Sequence, residues 1–291
     1  MQSREIGCVL VLVLGLLASA GCGGGNVGAS QSSTLSHPKA LGPFTVRVGE
    51  RLLSGRCEGR VVSGQPTFVL EAGQGNGATE LQPVAQALTG IGLVCSYDRA
   101  GFGGSDPVAD HPRPLGALLT DLRTVLAAGG FPKPYFLVGH SLGGSMVLLY
   151  AQLYPDDLVG FVSMNPGPTY HDWLRRLRPI VSRKELVENE IRPLTGGVPE
   201  EPVDTRGSDA LVQKPFPQHM PYTIMYAEDC SGGTDLYCNK VVGQLEAAQR
   251  ALAALSPEGR FVAVRGAGHE IWATDLDRVV AAVKHVMARS K

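Results

Sequence analysis

The chain has 291 residues, a net charge of −1 and 44% hydrophobic residues. The near-neutral balance, with no basic run and no interleaving of aromatic with basic residues, argues against a nucleic-acid partner. No internal repeat is visible, and the length beyond about residue 38 suits one domain with a sizeable core.

The first residues read as an export segment. Arg4 supplies a positive start, diluted by Glu5, and residues 9–17 form an apolar run too short to span a bilayer comfortably. Two processing patterns overlap. Ala18-Ser19-Ala20 fits general signal peptidase, whereas Ser19-Ala20-Gly21-Cys22 resembles a bacterial lipobox with Cys22 as the lipidated residue. Residues 23–36 are polar and glycine-rich and suit a tether. The expected organisation is a signal peptide over 1–21, a tether over 22–40 and a folded domain over 41–291. The protein is then exported, and either held at a membrane through Cys22 or released as a secreted or periplasmic protein.

Strand patterns at 44–48 and about 52–57 open the domain as an antiparallel pair. A strand at 67–71, a helix at 79–88 with Thr79 as N-cap, and a strand at 93–97 follow. A helix at 115–128, closed by Gly129-Gly130, precedes a buried strand at 135–138 and an apolar helix that stops at Pro155. Strands at 158–164, 222–227 and 261–264 and helices at 241–255 and 275–289 complete the series. Strands alternating with helices imply a mostly parallel sheet covered on both faces. The segment 165–220 breaks this rhythm. It is Pro-rich and charged, with one helix expected at 183–191, and a connection of that length is usually functional or disordered. Tyr170, Trp173, Leu174 and Leu177 give it either an apolar underside or an anchor to the body.

Of six cysteines, Cys8 and Cys22 belong to the export segment. Cys57, Cys95, Cys230 and Cys238 remain, an even number in an exported chain, so disulfides are expected and three pairings are open. No Cys-x-x-Cys or His cluster suggests a metal.

The chemistry centres on Gly139-His140-Ser141-Leu142-Gly143, which fits Gly-x-Ser-x-Gly between a strand and a helix. Ser141 then sits on a strained turn with Oγ exposed, and Gly139 and Gly143 are needed because a Cβ there would clash. The turn aims the Leu142 N–H beside Oγ, and the helix N-terminus favours negative charge. Three other stretches join it. Ala72-Gly73-Gln74-Gly75-Asn76-Gly77 follows the strand at 67–71, Asp98-Arg99-Ala100-Gly101-Phe102-Gly103-Gly104-Ser105 follows the strand at 93–97, and Gly266-Ala267-Gly268-His269 follows the strand at 261–264. Together, over about residues 44–289, they resemble the α/β-hydrolase superfamily: oxyanion loop, Asp-Arg-x-Gly-x-Gly-x-Ser turn, nucleophile elbow and terminal Gly-x-Gly-His.

The resemblance implies an α/β-hydrolase fold: a mostly parallel eight-stranded sheet flanked by helices, with a cap or lid inserted at about 166–220. It makes Ser141 the nucleophile and His269 its base, because a serine hydroxyl needs a group to take its proton during attack. Leu142 and, by family position, Gln74 supply the oxyanion-hole N–H groups, each contributing roughly 3 kcal/mol. Asp98 and Arg99 are read as structural pins, and the six other histidines as structural or solvated. The strands holding Cys57 and Cys95 are neighbours in the family topology, which favours Cys57–Cys95 and leaves Cys230–Cys238. Some relatives carry the triad acid directly after the strand that ends here at Met164. That place holds Asn165, which cannot ionise, so the acid is expected after the strand at 222–227. Asp235 is the first choice and Asp229 the second, ahead of Glu228 and Asp172.

The expected function is cleavage of a small-molecule carboxylic ester or related acyl bond through an acyl-Ser141 intermediate, with no cofactor and no metal. The alternatives are a proline-iminopeptidase-like peptidase, a cofactor-free haloperoxidase-like reaction, and a non-catalytic surface binding protein on a hydrolase scaffold. The peptidase needs an acidic site for a substrate amine, and Glu71, Glu228 and Glu270 do not make one.

Overall fold

A computed structural model describes residues 41–197, 199–227 and 236–290. The expected signal peptide, tether and Cys22 lie outside the described residues, as do Glu228, Asp229, Cys230 and Asp235. Strands β1 (Gly42–Val48), β2 (Arg51–Gly59), β3 (Thr67–Glu71) and β4 (Leu93–Tyr97) enclose helix α1 (Gln82–Leu88). The two-residue strand β5 (Arg113–Pro114) leads into α2 (Leu115–Ala128), then β6 (Tyr135–His140), α3 (Leu142–Leu153) and β7 (Leu158–Met164). After an insertion come β9 (Tyr222–Ala227), α8 (Leu236–Ala253), β10 (Gly259–Val264) and α9 (Ile271–Met287). The insertion itself holds α4 (Tyr170–Leu177), α5 (Arg183–Glu185), a π-helical turn, α6 (Arg192–Gly196), β8 (Val203–Asp204) and α7 (Ala210–Gln213).

Eight strands form one sheet in the order β1-β2-β4-β3-β6-β7-β9-β10. β1 pairs with β2 and β2 with β4 antiparallel, and every later pairing is parallel. The central strands are buried along their whole length because helices cover both faces. β6 makes the point residue by residue. Tyr135 and Leu137 join the core beneath α2 and α3, whereas Phe136 and Val138 join the core beneath α1 and α9. Each such buried side chain stabilises the fold by roughly 1.5–3 kcal/mol relative to exposure.

Three helix starts differ from the expected ones. Thr79 is not an N-cap. It lies inside a 3₁₀ turn, Ala78–Leu81, whose N-cap position is Gly77, and the turn starts on the Asp98 carboxylate, which accepts from Ala78 N–H at 2.8 Å. A side chain twenty positions away does what a local cap would do. α8 begins at Leu236 rather than 241. α9 begins at Ile271 and kinks at Asp275. Asp275 Oδ1 accepts from Arg278 N–H at 3.0 Å, so it caps the second part, which is where the sequence pattern begins.

Within the insertion, Ser182 and Glu185 form a capping box at α5, and the helix continues as a π-turn, Leu186–Ile191, into α6. Tyr170, Trp173, Leu174 and Leu177 pack with Leu186 and with Val241 and Ala248 of α8 in a cluster of their own. The insertion is therefore anchored on α8. β8 adds a short parallel pairing to β5.

Cys57 and Cys95 face each other across the β2–β4 ladder and are bonded. Cys238 is also in a disulfide. The Cys57–Cys95 bond closes a loop with a sequence separation of 38, for which chain entropy gives about 4 kcal/mol. Replacing both cysteines by alanine is expected to lower the unfolding free energy by about that amount in urea titration. A loss below about 1 kcal/mol would show that the bond contributes little at a site already paired by the ladder.

Candidate active site

Ser141 sits at the junction of β6 and α3 with φ 52° and ψ −115°. A non-glycine residue held there costs of order 1–3 kcal/mol, so its surroundings must over-determine it. They do so by steric closeness. A Cβ on Gly143 would lie 2.2 Å from the Glu71 carbonyl oxygen, and one on Gly139 would lie 2.3 Å from the Gly143 carbonyl oxygen. The start of α3 thus presses directly on the end of β3, and only glycine allows it. Leu142 opens α3, so its N–H is among the four that have no partner within the helix.

Ser141 and His269 line one cavity of about 280 Å³. It lies at the carboxyl ends of β6, β7 and β9, where open α/β sheets bind ligands. Asn165 and Pro166 follow β7 into it, and Ala227 ends β9. Trp173 and Leu194 of the insertion and Val241 and Leu245 of α8 form apolar walls. A larger open depression of about 850 Å³ lies at the other end of the sheet, around Leu158 and Pro221, and brings no serine or cysteine with it.

Polar contacts hold the loops around this cavity. The His269 carbonyl accepts from Asn165 Nδ2 at 2.8 Å and from His140 Nε2 at 3.1 Å. Asn165 Oδ1 accepts from Ala227 N–H at 2.9 Å, and Asn165 N–H donates to the Met225 carbonyl at 2.8 Å. Asn165 has φ 44°, a conformation asparagine tolerates better than most residues. It stitches the ends of β7 and β9 to the histidine loop. On the other side, His140 Nδ1 lies 2.9 Å from Glu80 Oε1, and Glu80 Oε2 accepts from Gly73 N–H at 2.5 Å. Burial acts to raise the Glu80 carboxyl, but the His140 and Gly73 hydrogen bonds outweigh it and hold the group below its usual range.

Gln74 lies on the loop after β3, and Arg99 organises that loop. Its buried guanidinium donates to the carbonyls of Ala72 and Gly73 at 2.8 and 2.6 Å and to the Glu201 carboxylate at 2.6 and 2.7 Å. Glu201, from the insertion, also accepts from Gly75 N–H at 2.9 Å, and its own carbonyl accepts from Gln74 Nε2 at 2.9 Å. The loop is therefore clamped on both sides of Gln74, close to the first turn of α3. The cavity is lined by neither Gln74 nor Leu142; any part they play runs through backbone N–H groups. Asp172 is elsewhere, on α4, paired with Arg175 and Arg176. Burial opposes its charge, but those arginines hold its carboxyl below the usual range.

Sequence reasoning missed Glu80, Asn165, Glu190 and Glu201. The signal for Asn165 was present: a polar, left-handed-tolerant residue at a strand end. Glu201 had none, because its partners lie more than a hundred positions away.

Glu71 lies under the loop, 1% exposed, and neither carboxyl oxygen accepts a hydrogen bond among the described residues. Arg99 Nη1 is 3.8 Å away, but its short bonds go to Glu201. Burial pushes the Glu71 carboxyl up to about 8, against the opposing charge of Arg99 and with Glu201 adding to the rise. Between the unfolded value of 4.5 and about 8, the native state binds more protons than the unfolded one, so stability falls as pH rises through that window and levels off above it. Glu71→Gln removes the titration. Its Tm relative to the parent is expected to rise by about 4 °C or more between pH 5 and pH 8.5. A constant difference in thermal melts would show that Glu71 is not the titrating group.

The sequence pattern of the family described as serine aminopeptidase, S33, matches residues 65–194. That range holds the loop around Gln74, the Asp98-Arg99 turn and the elbow. A monoacylglycerol lipase of Mycolicibacterium smegmatis is 31% identical over 151 residues, which cover 50% of this chain and 51% of that protein. The chain spans about half or less of the length of the curated relatives it matches, from 18% to 51% in three of them. A thermophilic esterase from Thermogutta terrifontis has a TM-score of 0.60 at 17% identity, over 86% of this chain and 99% of that one. A proline iminopeptidase from Mycobacterium smegmatis has a TM-score of 0.63 at 15% identity, over 85% and 98%. At these identities the likeness to solved structures is one of fold. Sheet order, elbow and the solved structures give the chain the α/β-hydrolase fold, and its residues 65–194 resemble the serine aminopeptidase, S33, family.

Proposed function

We propose that the protein is a serine hydrolase that cleaves a small carboxylic ester through an acyl-Ser141 intermediate. The observation that carries this reading is that Ser141, held at the strained elbow, lines the same cavity as His269. Ser141 Oγ attacks the acyl carbon as His269 takes its proton. The N–H groups of Leu142 and Gln74 receive the negative oxygen of the tetrahedral intermediate. His269 then protonates the departing alkoxide, and a water deprotonated by His269 releases the acid. Asp235, with Asp229 as runner-up, orients the imidazole. The insertion acts as the cap. Export and a lipid anchor at Cys22 complete the reading, which places the enzyme at an envelope surface. The relative named as a monoacylglycerol lipase and the esterase of like fold are in keeping with an ester substrate.

The cavity volume of about 280 Å³ is at the lower edge of ligand pockets, and most of its wall is apolar. The acyl portion is therefore short. In a screen of nitrophenyl esters, turnover is expected to peak at about four to six carbons and to fall more than tenfold by about twelve. Ser141→Ala is expected to retain less than a few per cent, and a fluorophosphonate to label Ser141. Absence of labelling and turnover would favour a binding protein instead. The acid is decided by asparagine at 235 and at 229, assayed side by side. The true acid costs roughly 10⁴ in turnover, and collapse at 229 alone would overturn the first choice.

A second reading, aminopeptidase activity, is favoured by Glu190. This carboxylate lines the cavity and accepts from Trp173 Nε1 at 2.7 Å and Tyr237 OH at 2.5 Å. In this reading it is the anion that receives the substrate amine. Turnover of prolyl nitroanilide in place of esters, lost in Glu190→Gln, would favour this reading.

A further inference from the structure

We propose that His140 is an imidazolium, protonated on both ring nitrogens, and that with the Glu80 carboxylate it forms a charged bridge that positions His269 for the reaction. Its part in turnover rests on the acyl-transfer reading above.

The proton count follows from the partners. His140 ends β6, one position before Ser141, and the side chains of His140 and Glu80 are 3% and 6% exposed. Nδ1 lies 2.9 Å from Glu80 Oε1, and Nε2 lies 3.1 Å from the His269 carbonyl oxygen. The carbonyl can only accept. Glu80 also accepts throughout: Oε2 takes the Gly73 N–H at 2.5 Å and Oε1 takes Asn76 Nδ2 at 3.0 Å. Burial works against its charge, but the hydrogen bonds from His140 and Gly73 and the charges of His140 and Arg99 hold the carboxyl below its usual range. Two acceptors therefore face one ring, and a neutral imidazole has a single N–H to offer. Either neutral tautomer sets a lone pair against an oxygen. Turning the ring over puts carbons against both oxygens. The doubly protonated ring satisfies both contacts.

The bridge joins the loops that carry the candidate catalytic groups. Gly73 precedes Gln74, and a Cβ on it would lie 2.8 Å from His140 Nδ1 and 2.9 Å from Glu80 Oε1, so that loop rests on the ion pair. At the other end the His269 carbonyl receives two donors, His140 Nε2 and the uncharged Asn165 Nδ2. The titratable and charged groups that bear on His140, among the described residues, are Glu80 from the turn before α1, His269 from the loop after β10, its ring centroid 4.6 Å away, and Arg99 after β4, which acts on Glu80. α9 brings the uncharged ring of Trp272, also 4.6 Å away. The Glu80 charge offsets the imidazolium, so the pair does not oppose the proton that His269 takes from Ser141. Loss of the His140 proton breaks one of its two contacts. The His269 loop then loses either its tie to the loop of Gln74 or a donor on its carbonyl, and misplacement of about 1 Å costs about 10²-fold. Turnover therefore has an alkaline limb set by His140.

Ring-nitrogen NMR of the parent, labelled at histidine, counts the protons directly, with His140 assigned through its contact with the Trp272 ring. Two N–H groups are expected at pH 7. A single N–H overturns the proposal, whatever the enzyme cleaves and with no variant needed. The pH profile of kcat for nitrophenyl butanoate, from pH 5 to pH 10, tests the positioning role. The parent is expected to lose about tenfold or more on the alkaline side, with KM little changed. A flat alkaline side overturns the role. In Glu80→Gln the amide oxygen still accepts from Gly73 N–H while the amide nitrogen donates to Nδ1, so a neutral His140 completes the bridge. The alkaline limb is expected to vanish in that variant. A limb that persists there overturns the role, and its loss in Glu71→Gln instead would assign it to the carboxyl that burial pushes up to about 8. Two N–H groups in a parent that cleaves no ester would sink the acyl-transfer reading and leave the ion pair standing.

Discussion

The structure depends on one close contact: backbone of α3 against backbone of β3, at a residue with no side chain. Gly143 sits so near the Glu71 and Ala72 carbonyls that any Cβ would occupy their space. The contact draws the loop after β3 alongside the first turn of α3, where free N–H groups and the positive end of the helix lie. It also forces the chain to turn sharply out of β6, which puts Ser141 at φ 52°. Sheet packing supplies the energy that holds the turn, because β3 and β6 are adjacent and buried on both faces.

Around this contact a polar frame holds loops that have little packing of their own. Arg99 is its centre: one guanidinium, two loop carbonyls and a carboxylate from the insertion. Such a buried pair adds little net stability, since desolvation offsets attraction, but removing one partner leaves an uncompensated charge. Its consequence is positional. The backbone on each side of Gln74 is fixed, and the insertion is tied to the loop it covers. Glu80, His140 and Asn165 do the same for the histidine loop through the His269 carbonyl. Precision of this kind is what a hydrolase site requires of the residues that support it.

The cavity is built from a different set of elements. Its floor is the elbow and the strand ends, which the fold imposes. Its walls are the insertion and α8, held to each other by the cluster around Trp173 and Val241. Floor and walls thus come from separate parts of the chain. The sheet fixes the elbow, while Glu190, Gln249 and apolar residues of the insertion and α8 line the space beside it.

The alternation of apolar strands and amphipathic helices, the order of motifs, the elbow glycines and the placing of Ser141 after β6 were determined by the sequence alone. These features depend on local backbone geometry and on periods of two and 3.6 residues, so a short window contains their cause. Even the kinked start of α9 is half legible, because Asp275 caps its longer part. The tertiary structure alone decided that Asp98, not Thr79, starts the turn before α1, and that Arg99 meets Glu201. It alone decided that Asn165 grips the His269 loop and that Glu190 and Gln249 line one cavity. Each is a contact between segments far apart in the chain, up to 104 positions for Asn165 and His269. A buried polar side chain is placed by whichever distant partner satisfies it, and no local pattern carries that information.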